Sequence, residues 1–376
     1  MSDFFLKLAT PGVQRLNPYP PGKPVEELER ELGIAGSIKL ASNENPLGPS
    51  RLALQAIAEH APSINYYPDG SGYRLSRRIA ELHRLPAECV TLGNGSNDIL
   101  ELATRAFLTP QHSAVFSQYS FAVYPIVVQA VGAKARIAPA YPETHDTMPL
   151  GHDPDAMLSN IDDDTRIMFI ANPNNPTGTW LQPEALRSLV EATPGRVIVV
   201  LDLAYDEYMD PSQKIDPAAW LARFPNLIIT RTFSKVYALA GLRIGYALSS
   251  PEIEDILNRV RQPFNTNSLA QAAALASLGD AEHVNASVAQ NDAGKKYLMQ
   301  ALDDAGLAYL PTMANFIAIN LKTDAKPVYD AMLRRGVIVR PVANYAMPNY
   351  LRVTIGTAEQ NRRFIASLAD AVDEVL

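Results

Sequence analysis

Residues Thr232–Gly245 read TFSKVYALAGLRIG. Lys235 directly follows Ser234, and Arg243 stands eight positions further on, in a stretch otherwise made of apolar and small residues. A charged amine is costly in such surroundings, and it can lower that cost by giving up its proton. Two readings of Lys235 follow. Either it is a surface lysine whose stem lies on apolar neighbours while its head reaches water, or it is a neutralised amine able to condense with an aldehyde.

Three stretches upstream bear on the choice. Val199–Tyr208 reads VVLDLAYDEY and places Asp202 at the carboxyl end of an apolar strand. Ligands of open α/β sheets bind beyond such ends. The carboxylate there either caps a helix or meets a pyridinium nitrogen and keeps it protonated. Ala171–Gly178 reads ANPNNPTG after the apolar run IMFI. It is a plain turn, or else it offers the Asn175 amide to a phenolate oxygen. Leu92–Asp98 reads LGNGSND. Its glycines either serve an ordinary strand-to-helix turn or let backbone N–H groups, with Ser96 and Asn97, approach an anion at a helix start. Each stretch has an undistinguished explanation, but together they hold one molecule. The helix start, Thr232, Ser234 and Arg243 take a phosphate; Asp202 meets a ring nitrogen; Asn175 meets a ring hydroxyl; Lys235 meets an aldehyde. Pyridoxal 5′-phosphate carries those four groups.

Composition sets bounds on this reading. The chain has 376 residues, 47% of them hydrophobic and 19% charged, the texture of a soluble protein large enough for two cores. A net charge of −7 repels nucleic acid and anionic membranes, so neither is an expected partner. The lone cysteine, Cys89, excludes internal disulfides and multi-cysteine metal sites and reads as a small packing residue. The six histidines lack metal spacing and read as surface or cap residues, so no metal is expected. Neither a signal peptide nor an apolar run of membrane-spanning length is present, which points to the cytoplasm.

Along the chain, short apolar β-branched runs (Ala114–Ser117, Ile167–Ala171, Val197–Leu201, Leu227–Thr230) alternate with helical stretches. That is the order of an α/β protein with a mainly parallel sheet buried on both faces. Ser71–Leu85 reads as a helix with Leu75, Ile79 and Leu82 on one face. Three parts are expected: a proline-rich extended arm over 1–45, a large domain over 46–255, and a smaller α+β domain over 256–376, with the arm packing on the last.

The order LGNGSND, NPNNPTG, LDLAYDEY, TFSKVYALAGLRIGY resembles the fold-type I aminotransferases over nearly the whole chain. Within that group the chain is most similar to the histidinol-phosphate aminotransferases, through RLNPYPPGKP (Arg15–Pro24), SNENPLGPS (Ser42–Ser50) and NYYPDGSGYRLSRRIA (Asn65–Ala80). The resemblance implies a large domain with a mostly parallel seven-stranded sheet, pyridoxal 5′-phosphate as cofactor, and transamination between L-histidinol phosphate and 2-oxoglutarate in histidine biosynthesis. It also implies a homodimer in which Tyr67 reaches the partner's cofactor phosphate. Phe121 would stack on the cofactor ring, with Tyr119 and Tyr124 as alternatives, and Tyr205 would join Asn175 at the phenolic oxygen. Tyr19, Arg340 and Arg352 would meet the substrate's anionic groups, Asn175 also facing the substrate. Two departures, Asn97-Asp98 where the family often has Asp-Glu and Leu203 where it often has Glu, leave room for other donors. The alternatives are an aromatic amino acid aminotransferase and a threonine-phosphate decarboxylase of the same fold.

Overall fold

The computed structural model describes residues 2–19 and 21–375. Met1 and Pro20 of the expected arm, and Leu376 of the expected small domain, lie outside the described residues. Among the described residues, seven strands form one sheet in the order Val90–Gly93, Gly245–Ser249, Leu227–Thr232, Ile198–Asp202, Thr165–Ala171, Ser113–Ser117, Lys134–Ala138. Neighbours run parallel except at Gly245–Ser249, which is antiparallel to both of its neighbours.

The apolar runs explain why this sheet sits in the middle of a layered fold. Successive side chains of a strand point to opposite faces. Met168, Ile170, Val199, Leu201, Ile229 and Leu248 enter one core, while Ile167, Phe169, Val200, Ile228 and Ala247 enter the other. Helices Tyr73–His83 and Pro183–Ala192 close the first face, and helices Ser96–Phe107 and Val123–Ala130 close the second. Burying one such Leu or Ile contributes roughly 1.5–3 kcal/mol.

A second core lies around an antiparallel sheet ordered Arg340–Pro341, Tyr350–Thr354, Phe316–Asn320, Ala308–Tyr309. Helices Ala281–Asp304, Lys326–Arg334 and Ala358–Val375 give it Leu298, Leu302, Val328, Met332, Phe364 and Leu368. Helix Ser268–Ser277 falls after the expected boundary at 255, yet its Ala270, Ala273 and Ala274 join the first core beside Ala53 of helix Arg51–His60.

The N-terminal segment departs from the extended arm expected of it. It contains helices Ser2–Leu8, Pro11–Gln14 and Val25–Leu32 before a short strand, Ile38–Lys39. That strand pairs in parallel with Val337–Ile338, and Leu28 and Ala41 bury against Ile338. In helix Tyr73–His83 the buried face runs Leu75, Ile79, His83, while Leu82 is exposed. His83 takes the inner place because its Nε2 lies 2.9 Å from the Tyr246 hydroxyl. His152 is also buried, with Nε2 2.9 Å from the Ala171 carbonyl. Burial holds both rings down to about 4, far below ordinary histidine. The surface-or-cap reading is therefore wrong for these two: each has its own polar partner inside.

Candidate active site

The parallel strands Thr165–Ala171, Ile198–Asp202 and Leu227–Thr232 end on the same edge of the sheet, at Ala171, Asp202 and Thr232. All three residues line a cavity of about 250 Å³. The cavity gathers nearly every residue singled out from sequence: Ser96, Asn97, Phe121, Asn175, Tyr205, Ser234, Lys235 and Arg243 from the first unit, and Tyr19, Arg340 and Arg352 from the arm and the second sheet.

Lys235 lies just past strand Leu227–Thr232, after Phe233 and Ser234, and its Nζ points inward to donate to the Ser42 carbonyl at 3.1 Å. It also stands 5.6 Å from the centre of the Tyr205 ring. Removal from bulk water, helped by the nearby Arg352 cation, brings this amine down to about 8. Asp202 is buried, and burial pushes its carboxyl up against the opposing pull of its hydrogen bonds. The Tyr124 hydroxyl donates to Oδ2 at 3.0 Å and the Thr230 hydroxyl to Oδ1 at 3.0 Å. Both donors are neutral, so the carboxylate is oriented by them and its charge is left for a cation. It caps no helix; the strand simply ends on it.

The opposite end of the cavity is built for an anion. Helix Ser96–Phe107 starts there, preceded by Gly95 at φ 80°. A Cβ on Gly95 would lie 2.4 Å from Nη2 of Arg243, and one on Gly245 2.5 Å from the Ser96 nitrogen. Glycine at both positions lets the guanidinium and the helix start come together. Arg243 itself adopts the left-handed backbone, φ 56°, at a cost of roughly 1–3 kcal/mol that its surroundings must bear. Asp98, one of the two departures from the family pattern, accepts from the Asn94 N–H at 2.9 Å and from Asn265 Nδ2 at 2.8 Å. It braces the loop from outside the cavity. Leu203, the other departure, is buried in the first core.

Arg352 joins the two units. Its Nη1 donates to Asn175 Oδ1 at 2.5 Å and its Nη2 to the Ala41 carbonyl at 2.8 Å, while its buried Nε has no partner among the described residues. With Oδ1 of Asn175 taken, the Nδ2 end of that amide is the one that can address a ligand. The Arg340 guanidinium lies 5.6 Å from the centre of the Tyr19 ring.

Tyr67 does not line this cavity. The residue is 82% exposed, and its ring stacks on Phe264 at 4.8 Å. Of the three candidate stacking rings, Phe121 lines the cavity, whereas Tyr124 is fully buried behind Asp202 and Tyr119 packs beside Leu150 and Tyr345. Sequence reasoning overlooked Ala41, Ser42 and Asn43; the last two open the motif SNENPLGPS, to which it assigned no roles.

This geometry defines a class, and comparison with known proteins identifies it: residues 35–368 match the aminotransferase class I and II family, to which the chain belongs. It is 55% identical over 371 residues to histidinol-phosphate aminotransferase 2 of Pseudomonas fluorescens, covering 98% of each chain. The protein of that name from Pseudomonas aeruginosa is 55% identical over 370 residues, again covering 98% of each. The crystal structure of histidinol-phosphate aminotransferase from Sinorhizobium meliloti in complex with pyridoxal-5′-phosphate superposes with a TM-score of 0.89 at 26% identity, covering 98% of each chain.

Proposed function

We propose that the protein is a pyridoxal 5′-phosphate-dependent aminotransferase of the cytoplasm that moves an amino group between L-histidinol phosphate and 2-oxoglutarate. The supporting observation is the pairing, in one cavity, of an amine brought down to about 8 with a buried carboxylate whose side-chain donors, Tyr124 and Thr230, are both neutral. Those two groups suit the cofactor's aldehyde and its ring nitrogen. The helix start with Arg243 suits its phosphate, because Gly95 and Gly245 leave no side chain in the way. When bound, pyridoxal 5′-phosphate supplies the aldehyde that takes up the amino group and a ring that withdraws electrons from the substrate carbon.

The remaining work belongs to this chain's side chains. Lys235 Nζ removes the proton from the donor's α-carbon and returns it as an acid, already tethered beside the carbon it serves. Asp202 holds a proton on the ring nitrogen, and Tyr124 and Thr230 keep the carboxylate aimed. Thr232, Ser234, Ser96 and Asn97 donate to the phosphate with Arg243. Asn175 and Tyr205 address the phenolic oxygen, and Phe121 fixes the ring plane. Arg352 and Arg340 take the anionic end of each substrate, the planar guanidinium of Arg352 suiting a carboxylate held by two hydrogen bonds. Tyr19, beside Arg340, closes over the phosphate of histidinol phosphate.

The functional unit is a homodimer in which Tyr67 enters the partner's cavity. Support for this comes from the exposed apolar patch of Ile64, Tyr66, Tyr67 and Phe264, a surface that a monomer seldom shows to water. The division into an arm over 1–45, a large domain and a small domain also belongs to this reading, with 268–277 moved to the large domain by its packing.

The test mixes purified enzyme carrying the cofactor with histidinol phosphate, phenylalanine or threonine phosphate, each with 2-oxoglutarate, and measures glutamate. Histidinol phosphate should be the best donor by kcat/KM. Faster turnover of phenylalanine would make this an aromatic aminotransferase, and carbon dioxide release from threonine phosphate without 2-oxoglutarate would make it a decarboxylase.

A further inference from the structure

We propose that Asn43 is a positioning residue that fixes the Tyr205 hydroxyl as a hydrogen-bond donor into the cavity. The inference rests on the reading that Tyr205 meets the phenolic oxygen of the cofactor. Asn43 is 1% exposed and adopts the left-handed backbone at φ 57°, which asparagine tolerates better than most residues. Every polar group it carries is engaged. Its N–H donates to Thr354 Oγ1 at 2.9 Å, its carbonyl accepts from Asn315 Nδ2 at 3.0 Å, and its Oδ1 accepts from the Thr354 hydroxyl at 3.4 Å. Its Nδ2 donates to the Tyr205 oxygen at 2.9 Å.

Thr354 decides which way the amide points. Its oxygen accepts the Asn43 N–H and its hydroxyl donates to Oδ1, which leaves Nδ2 facing the Tyr205 oxygen. The phenol oxygen of Tyr205 therefore accepts from Asn43 and must send its own proton elsewhere. Tyr205 lines the cavity, and that is where the proton goes. Burial raises the Tyr205 phenol well above its ordinary value, so the donor is present at neutral pH. The neighbouring residues act in the same way: the Ala41 carbonyl holds Arg352 and the Ser42 carbonyl holds Lys235. Three consecutive residues of the N-terminal segment thus each orient one cavity side chain.

The chemical consequence can be measured. A donor on the phenolic oxygen draws electron density from it, which weakens the hold of Lys235 Nζ, once joined to the cofactor, on its proton. In Asn43→Asp the carboxylate accepts the Tyr205 proton and turns it away from the cavity. The pH midpoint of the visible absorbance change of the bound cofactor should then rise by about one unit, a tenfold change in proton affinity. Tyr205→Phe should raise it comparably, and adding Asn43→Asp to Tyr205→Phe should move it by less than about a third as much, because the two act through one hydroxyl. Asn43→Gly keeps the left-handed turn without the amide. It should raise the midpoint less, and only when Tyr205 is present; it also serves as the reading should the aspartate variant fail to fold. Equal shifts from Asn43→Asp with and without Tyr205 would mean that its charge acts directly on the cofactor, and that would overturn the proposal. So would unmoved midpoints in both Asn43 variants alongside a shifted Tyr205→Phe. If Tyr205→Phe alone leaves the midpoint where it was, the role given to Tyr205 falls, and the inference falls with it.

Discussion

Two groups of buried carboxylates lie four residues apart in sequence and meet opposite fates. Asp206 and Glu207 share one guanidinium: Arg231 Nη2 is 2.7 Å from Asp206 and 2.8 Å from Glu207, and all three side chains are about nine-tenths buried. Asp202 is just as deep, yet its hydrogen bonds come from neutral groups, the hydroxyls of Tyr124 and Thr230 and the Ala204 N–H, with Lys235 acting on it only through its field. Strand alternation produces the difference. Thr230 and Thr232 point to the cavity side of strand Leu227–Thr232, and Arg231 points to the other side, where it clamps the loop that follows Asp202. The cluster around Arg231 is closed in that one guanidinium holds both carboxylates within the fold. Asp202 is open, and an unanswered buried charge is tolerated where a ligand will answer it.

The largest expected effect tests the open side. Lys235→Ala should cost at least the 10²–10⁴-fold typical of a removed general acid–base and should abolish the visible absorbance of the bound cofactor; a steady-state assay and a spectrum check both. Next comes the comparison itself. Arg231→Ala strands two buried carboxylates and should lower unfolding free energy by about 3–5 kcal/mol, read from urea unfolding of the apoenzyme. Asp202→Asn should leave that stability within about 1 kcal/mol or raise it, since its hydrogen-bond donors are neutral and no ion pair is broken. The same variant should slow turnover by about a hundredfold or more, roughly 3 kcal/mol in the barrier. Equal destabilisation by both substitutions would erase the distinction.

Smaller effects sharpen the picture. Arg243→Ala should raise the cofactor's dissociation constant by about tenfold or more, the worth of a charge-assisted hydrogen bond, with kcat at saturating cofactor changed much less. A fall in kcat alone would remove the phosphate role. Finally, with its amine brought down to about 8, Lys235 is protonated below that pH and neutral above it. Only the neutral amine attacks a carbonyl, so trapping of a small aldehyde on the apoenzyme by borohydride should rise through about pH 8. Ordinary lysines titrate near 10.4, and a rise centred there would place this amine in bulk water.

Much of this was legible in the chain because catalytic side chains sat at the ends of apolar runs. Asp202 closes IVVLD, Lys235 follows LIITRTFS, and Asn175 follows the run ending in Ala171. The strands themselves could be read because both faces of the sheet are apolar. Lys134–Ala138 could not: it is an edge strand reading KARIA, mostly facing solvent, and Arg136 reaches Asp162 at 2.6 Å. Gly245–Ser249 could not be read either: only its first two residues fall within the lysine motif, and one strand running against its neighbours leaves no mark in composition. His83 was misplaced because a hydrogen bond to Tyr246, far along the chain, outweighed its usual preference for water. Asn43 was invisible for a similar reason: its partners Tyr205, Asn315 and Thr354 are distant in sequence, and no periodicity joins them.

The pairing of Ile38–Lys39 with Val337–Ile338, continued by the bond from Thr354 to the Leu40 carbonyl at 2.8 Å, has a consequence for biosynthesis. A chain emerging from the ribosome exposes its first forty residues long before their partners exist, and contacts spanning some 311 positions close late and slowly. The seven-stranded sheet, complete by Ser249, can condense while translation continues. The pocket walls contributed by Ala41, Ser42 and Asn43 must wait for the strand Tyr350–Thr354 that holds them, so this side of the cavity closes after the sheet that carries Asp202 and Lys235.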